Sequence, residues 1–334
     1  MKRRCLFWLL ILAFVVVVFS RFSEIENLVR TLSHGRWTWV AAALFLQALY
    51  YLVYTGLYQA AFSVAAVQSR FWDILPVVFA ALFVNVSAPV ANVGGAALFI
   101  DDAVQRGESG SRAAAAVILA LATEIGTFIL PLLVGLISLS SWRELAFYEI
   151  IGALLVLLTA VALAGLLLLG RWGQARLRQF LTAVRRIVNW AVDKLNRPAL
   201  LSEHWAENNA QEFAGAADAL FNHPKHLAYT ASIGLLAHGV NMACLYALIL
   251  AFYQPVGLRA LFAGYAMAVT FRIVSITPQG AGVAEGVIAL VYASLGAPDA
   301  QAVAIALTFR GISIWLPVVI GFFLLQQVRA FKDR

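Results

Sequence analysis

The 334-residue sequence is short of charge: 12% of it is Asp, Glu, Lys or Arg, against 62% hydrophobic residues. A soluble core of this length has no use for so much apolar surface, and runs long enough to cross a bilayer recur along the chain. Cysteine is scarce as well. Cys5 and Cys244 both lie in apolar runs, which excludes a recognisable disulfide framework and gives no redox pair. No Gly-x-x-x-x-Gly-Lys-Ser/Thr phosphate loop occurs, which argues against direct use of ATP. There is no His-Glu-x-x-His and no paired cluster of metal ligands, so neither a metal nor another cofactor is expected. Gly107-Glu-Ser-Gly-Ser111 lacks the glycine that a nucleophile elbow needs two residues after its serine, and an enzyme is not expected. The alternating ten-residue strands of a membrane β-barrel are not the pattern either. What is left is an all-α polytopic membrane protein.

Charge sets the expected topology. Arg171, Arg176, Arg178, Arg185, Arg186, Lys194, Arg197 and Lys225 crowd one connector, and by the positive-inside rule it is cytoplasmic. Lys2, Arg3 and Arg4 before the first apolar run, and Arg329, Lys332 and Arg334 at the end, place both termini on the same side. The expected location is the cytoplasmic (inner) membrane. The first run has no small-x-small cleavage site after it and reads as a retained helix rather than a secretory signal. The net charge of +7 then follows from topology and needs no nucleic acid. Within the basic connector, Leu177, Leu181, Val184, Val188, Ala191 and Leu195 recur at helical spacing, with Arg178, Arg185 and Arg186 opposite. This predicts an amphipathic helix lying on an anionic lipid surface along 171–197, with a helix packed on a partner as the alternative. A second helix is expected over Glu203–Phe221.

Six full crossings are expected at about 5–20, 37–66, 113–139, 146–170, 226–253 and 300–327. The count closes only if 71–104 and 257–296 each enter and leave on one side. Both are interrupted by proline, glycine and polar residues, and they resemble each other. "NVSAPVANVGGAALF" from Asn85 pairs Pro89 with Pro278 of "VSITPQGAGVAEGVIAL"; "LATEIGTFILP" from Leu121 pairs Pro131 with Pro317 of "LTFRGISIWLP". Because 113–139 and 300–327 run in opposite senses, the reading is an inverted repeat of two re-entrant helical hairpins. The organisation is one transmembrane domain over 1–334. It comprises a first helix and loop (1–36), repeat 1 (37–139), a linking helix (140–170), the cytoplasmic amphipathic segment (171–225), repeat 2 (226–327) and a tail (328–334). Irregular backbone at membrane depth survives only where protein buries it or a polar cavity adjoins it. The hairpin tips, Ser87–Gly95 with Pro89, Gly94 and Gly95, and Thr277–Gly286 with Pro278, Gly280 and Gly282, are therefore expected to meet near the midplane. Glycines ahead of each second half-helix would leave two positive amide ends facing an anion.

Four charges fall where lipid should be: Glu124, Arg272, Glu285 and Arg310. Ionised groups there are costly and face protein or water. Glu124 and Arg310 occupy matching positions of the repeat. Asn85, Asn92, Thr277, Gln279, His238 and Asn241 lie at similar depth and complete a candidate substrate-binding set. A pair of structural ion pairs is the alternative for the four charges. Asp101 and Asp102 near Arg106 read either as a site for a cationic headgroup or as a solvated acidic pair.

In "SITPQGAGVAEGVIALVYASLG" and "NVSAPVANVGGAALFIDDAVQRGESGSRAAAAVILALATE" the chain resembles the transmembrane region of lysylphosphatidylglycerol synthases, the flippase-like integral membrane protein family. Pro278, Gly280, Gly282 and Glu285 match its Pro-Gly-Gly-x-Gly-x-x-Glu pattern, and Gln279 departs from it. The first hairpin's "ANVGGAAL" carries no charge where the family often has Arg-x-Gly-Glu. The resemblance implies movement of a phospholipid, a polyprenyl-linked or a hopanoid-type lipid between leaflets, with a lipid-modifying enzyme as an expected partner. The other readings are a secondary transporter of a small solute and a membrane partner of such an enzyme.

Overall fold

The computed structural model describes residues 35–87, 93–194, 202, 204–252 and 257–328. Among them there is no strand. The order is α1 (Trp37–Val64), α2 (Phe71–Ser87), α3 (Val93–Gln105), α4 (Gly110–Ser140), α5 (Phe147–Trp172), α6 (Gln174–Asp193), α7 (Trp205–Asn222), α8 (Pro224–Ala251), α9 (Leu258–Val274), α10 (Val283–Ser294), α11 (Asp299–Arg310) and α12 (Leu316–Leu324). A π-helical stretch, Gly311–Trp315, joins α11 to α12, so Asp299–Gln327 runs as one rod. Among the described residues five rods are long and apolar enough to cross a membrane: α1, α4, α5, α8 and α11–α12. The chain is thus a multi-pass membrane protein. The run expected at 5–20 lies outside the described residues, as do Pro89, Asn92 and the C-terminal basic cluster.

The remaining apolar helices described are shorter than these rods. At about 1.5 Å per residue, the 17 residues of α2 or α9 reach about 25 Å and the 13 and 12 of α3 and α10 less than 20 Å. A hydrocarbon core is about 30 Å thick. α2 folds back on α3, and α9 on α10.

The packing has a two-fold pattern. α1 lies along α8; α4 lies along α9; and, with the halves exchanged, α12 lies along α2. In each of the last two contacts a glycine meets main chain. A Cβ on Gly135 would sit 2.6 Å from the Phe262 carbonyl oxygen, and one on Gly321 would sit 2.1 Å from that of Phe79. Both glycines follow their helix's proline, Pro131 or Pro317, by four residues. Small residues let helix backbones approach where lipid supplies no hydrophobic drive. Gly321→Val is therefore expected to cost at least about 1–3 kcal/mol, the usual penalty of overpacking. Gly165→Val, on an open surface of α5, should cost nothing measurable. Thermal loss of the monodisperse species in detergent compares the two.

Helices α6 and α7 form a separate layer against the ends of α4 and α5. Gly170 lets α7 in: a Cβ there would meet the Phe213 ring at 2.9 Å. Ser109 and Ser111, at the start of α4, donate to Glu212 and Asn209 of α7. The α6 expectation needs a correction. Leu177 is buried and Leu181 packs on the core, so the stripe assigned to lipid turns inward, because α7 and α5 cover it. Outward lie Arg176, Phe180, Ile187 and Trp190, at helical spacing. Leu195 lies outside the described residues.

Candidate functional site

The four intramembrane charges form two ion pairs of different character. Glu124 of α4 and Arg272 of α9 join the halves, with Arg272 Nη2 donating to Glu124 Oε1 at 2.8 Å. The second carboxylate oxygen accepts the Tyr54 hydroxyl at 2.8 Å. Arg310 Nε donates to Glu285 Oε1 at 2.9 Å within the second half, and Arg310 Nη2 to the Gln279 carbonyl at 2.5 Å. The Arg310 side chain is 4% exposed, whereas that of Arg272 is 24% exposed. One pair is deeply buried; the other opens onto a larger space.

That space is a cavity of about 370 Å³, within the range of small-molecule sites. Glu124, Arg272, Asn85, Gln279, Tyr54 and Ser275 supply its polar wall; Tyr58, Phe99, Leu121 and Leu163 are among its apolar lining. Thr159 and Leu163 come from α5, the least buried of the crossing rods. At the rim, Ser275 lines the cavity while its neighbour Ile276 is 96% exposed. A second, smaller cavity of about 40 Å³ lies on the other side of Arg272, with Arg310, Asn241, Tyr50, Tyr51 and the π segment around it. The π segment leaves the Ser313 carbonyl to accept the Tyr51 hydroxyl at 2.6 Å. Single-turn π insertions are frequent at functional positions.

Side chains cap the start of α3 and of α10. Asn85 Oδ1 accepts the Gly95 amide at 2.7 Å, and Glu285 Oε2 accepts the Gly282 amide at 2.7 Å. One amide at the start of each of α3 and α10 is thus already taken by an oxygen of the protein, so neither end is wholly open to an anion. α3 also begins at Val93, so Gly94 and Gly95 sit inside its first turn. At the second tip, Pro278–Gly280 makes one 3₁₀ turn, and Gly280 and Gly282 take φ of +71° and +84°. Gln279 takes φ +52°, a conformation that a glycine, the residue of the family pattern, adopts without strain.

His238 stands behind the wall. Its ring nitrogens meet the Tyr265 hydroxyl at 2.8 Å and the Glu124 carbonyl at 2.9 Å, and it lines neither cavity. Thr277 shares a hydrogen bond with the Ser275 hydroxyl at 2.8 Å and lines neither cavity as well. Asp102 pairs with Arg106 at 3.0 Å one helical turn away. Among the described residues no group of His, Cys, Asp or Glu has metal-site geometry. The residues that sequence reasoning overlooked are Tyr50, Tyr54 and Tyr58. Their four-residue spacing places them on one face of α1, with Tyr50 and Tyr54 stacked and Tyr58 stacked on Phe99 at 4.2 Å. That spacing inside an apolar run was the available signal.

Outside the membrane, Arg143 forks onto Glu149 at 2.6 and 3.1 Å. Those hydrogen bonds hold the guanidinium above its ordinary pKa. Arg143 Nε also reaches the Ser294 hydroxyl at 3.2 Å, tying the α4–α5 corner to the end of α10.

Among protein families, the one described as the lysylphosphatidylglycerol synthase TM region matches residues 6–321. The chain belongs to that family. No curated protein matches it.

Proposed function

We propose that this member of the lysylphosphatidylglycerol synthase transmembrane-region family moves a lipid with a phosphate-bearing headgroup between leaflets. The observation that carries the reading is the cavity at Arg272, inside the helix bundle and lined by Ser275, whose neighbour Ile276 is exposed. A charged head left alone in hydrocarbon costs tens of kcal/mol in the ideal limit. A groove that offers a guanidinium, an amide and hydroxyls lowers that cost while the acyl chains stay in lipid. The exchange-symmetric pairing of α4 with α9 and α2 with α12 supports an inverted repeat, and the short helices support two re-entrant hairpins. Rocking of one half against the other would open the cavity to each side in turn. The α6–α7 layer and both termini face the cytoplasm in this reading.

The test is movement of head-labelled phosphatidylglycerol in reconstituted vesicles, followed by quenching of the outer leaflet. Quenching beyond the outer-leaflet fraction in protein-containing vesicles, above protein-free controls, is the expected result. Equal quenching in both would end the lipid reading. Uptake of a water-soluble solute in its place would favour secondary transport.

The exposed face of α6 joins Phe180, Ile187 and Trp190 to Arg176 and Arg186. This pattern fits an anionic lipid surface. A polarity-sensitive dye on Ile187→Cys, with Cys5 and Cys244 replaced, should shift to the blue in phosphatidylglycerol vesicles relative to phosphatidylcholine ones. An identical emission in both would remove the assignment.

A further inference from the structure

We infer that Glu124 carries a proton, and that an anionic headgroup enters the cavity as Glu124 becomes neutral. This rests on the lipid reading above and adds its coupling to pH.

Among the described residues, Arg272 is the one cation on the wall of the larger cavity, and Glu124 the one carboxylate. Arg272 donates to Glu124 through a single N–H, so most of its guanidinium fork is left for a phosphate. A phosphate docking there stands beside the carboxylate that already uses the same cation. Two anions in an apolar enclosure then share one positive charge, the situation in which one of a pair of acids holds a proton. Among the described residues, the groups around Glu124 offer no second permanent cation, and the one other titratable base is the His238 imidazole. From α1 come Tyr50, Tyr54 and Tyr58; from α8, His238, whose contact is to the main-chain carbonyl; from α9, Tyr265 and Arg272; from α2, Asn85. Glu285 is committed to Arg310 and to the Gly282 amide, out of reach of the larger cavity.

The balance closes on both sides of the step. With no ligand, Arg272 and ionised Glu124 sum to zero. With a singly charged phosphodiester bound, Arg272, the phosphate and a carboxylic acid again sum to zero. One proton from water enters with the head and returns when the head leaves. The interior stays neutral throughout, the condition that low-dielectric surroundings impose.

The experiment uses the full chain in detergent, in weak buffer with a pH-indicating dye. Dihexanoyl phosphatidylglycerol is added in one arm and inorganic phosphate in the other. The expected result is uptake of about one proton per lipid bound, with affinity tightening up to about tenfold per pH unit as pH falls, the slope of one linked proton. Glu124→Gln should bind with no uptake and a flat pH dependence, and Glu124→Asp should restore both. Uptake with the lipid alone assigns the site to a headgroup; uptake with both probes assigns it to phosphate generally. Binding by the wild-type chain without uptake overturns the inference and leaves the lipid reading standing. Uptake by Glu124→Gln equal to wild type overturns it too. Failure of both probes to bind overturns the lipid reading and the inference with it.

Discussion

Glu285→Ala is expected to destabilise the protein by about 3–5 kcal/mol, the cost of leaving a buried charge without its partner. The carboxylate performs two tasks in the structure: Oε1 holds Arg310, and Oε2 caps α10 at Gly282. Its removal strands a guanidinium whose side chain is 4% exposed and uncaps the hairpin's second helix. Replacing both partners, Glu285→Met with Arg310→Met, should recover most of the loss, since well-packed apolar groups often substitute for a buried pair without penalty. Thermal denaturation in one detergent separates the three proteins. A single variant as stable as wild type would show that the pair does not hold the tip. Lipid movement by the double variant at the wild-type rate would assign this pair to architecture alone.

Arg272→Gln should show the opposite profile: modest loss of stability and at least a tenfold loss of lipid movement. Glu124, deprived of its cation, can remain uncharged by taking a proton, so the bundle is not left with a stranded anion. The cavity, however, loses its anchor for phosphate. Arg272→Lys should fall between, because an ammonium keeps the charge without the planar fork that grips two oxygens. Rates in reconstituted vesicles, normalised to protein that elutes as a single species, give the comparison. Wild-type rates in Arg272→Gln would sink the role given to this side chain.

The sequence made some of this legible and left the rest hidden, for identifiable reasons. Long apolar runs declared α1, α4, α5, α8 and α11–α12, since a 20-residue hydrophobic stretch has few uses other than crossing. The proline and glycine interruptions gave the short helices α2, α3, α9 and α10. Glu124 and Arg310 hold matching positions, yet the sequence did not say who pairs with whom. Glu124 reaches across to Arg272, and Arg310 turns back to Glu285; that is decided by tertiary approach. The inward turn of Leu177 was hidden likewise, because an amphipathic stripe looks the same whether lipid or another helix covers it. Tyrosines at 50, 54 and 58 were overlooked because aromatic residues are at home in apolar runs, and only a helical projection separates a cavity-lining face from a lipid-facing one.

The glycine contacts have a bearing on motion. Where Gly135 meets the Phe262 carbonyl and the Ala266 Cβ, and Gly321 meets the Phe79 carbonyl and the Phe83 Cβ, the surfaces in touch are backbone and β-carbons, with no rotamers to reset. Two such smooth bearings, one in each half, let the rods tilt a few degrees without unlocking any side chain. Resistance would come instead from the polar links that cross between the halves, among them Glu124 to Arg272, Tyr51 to the Ser313 carbonyl and His238 to the Glu124 carbonyl. In the proposed transport, one of those links lies at the place where the headgroup would dock.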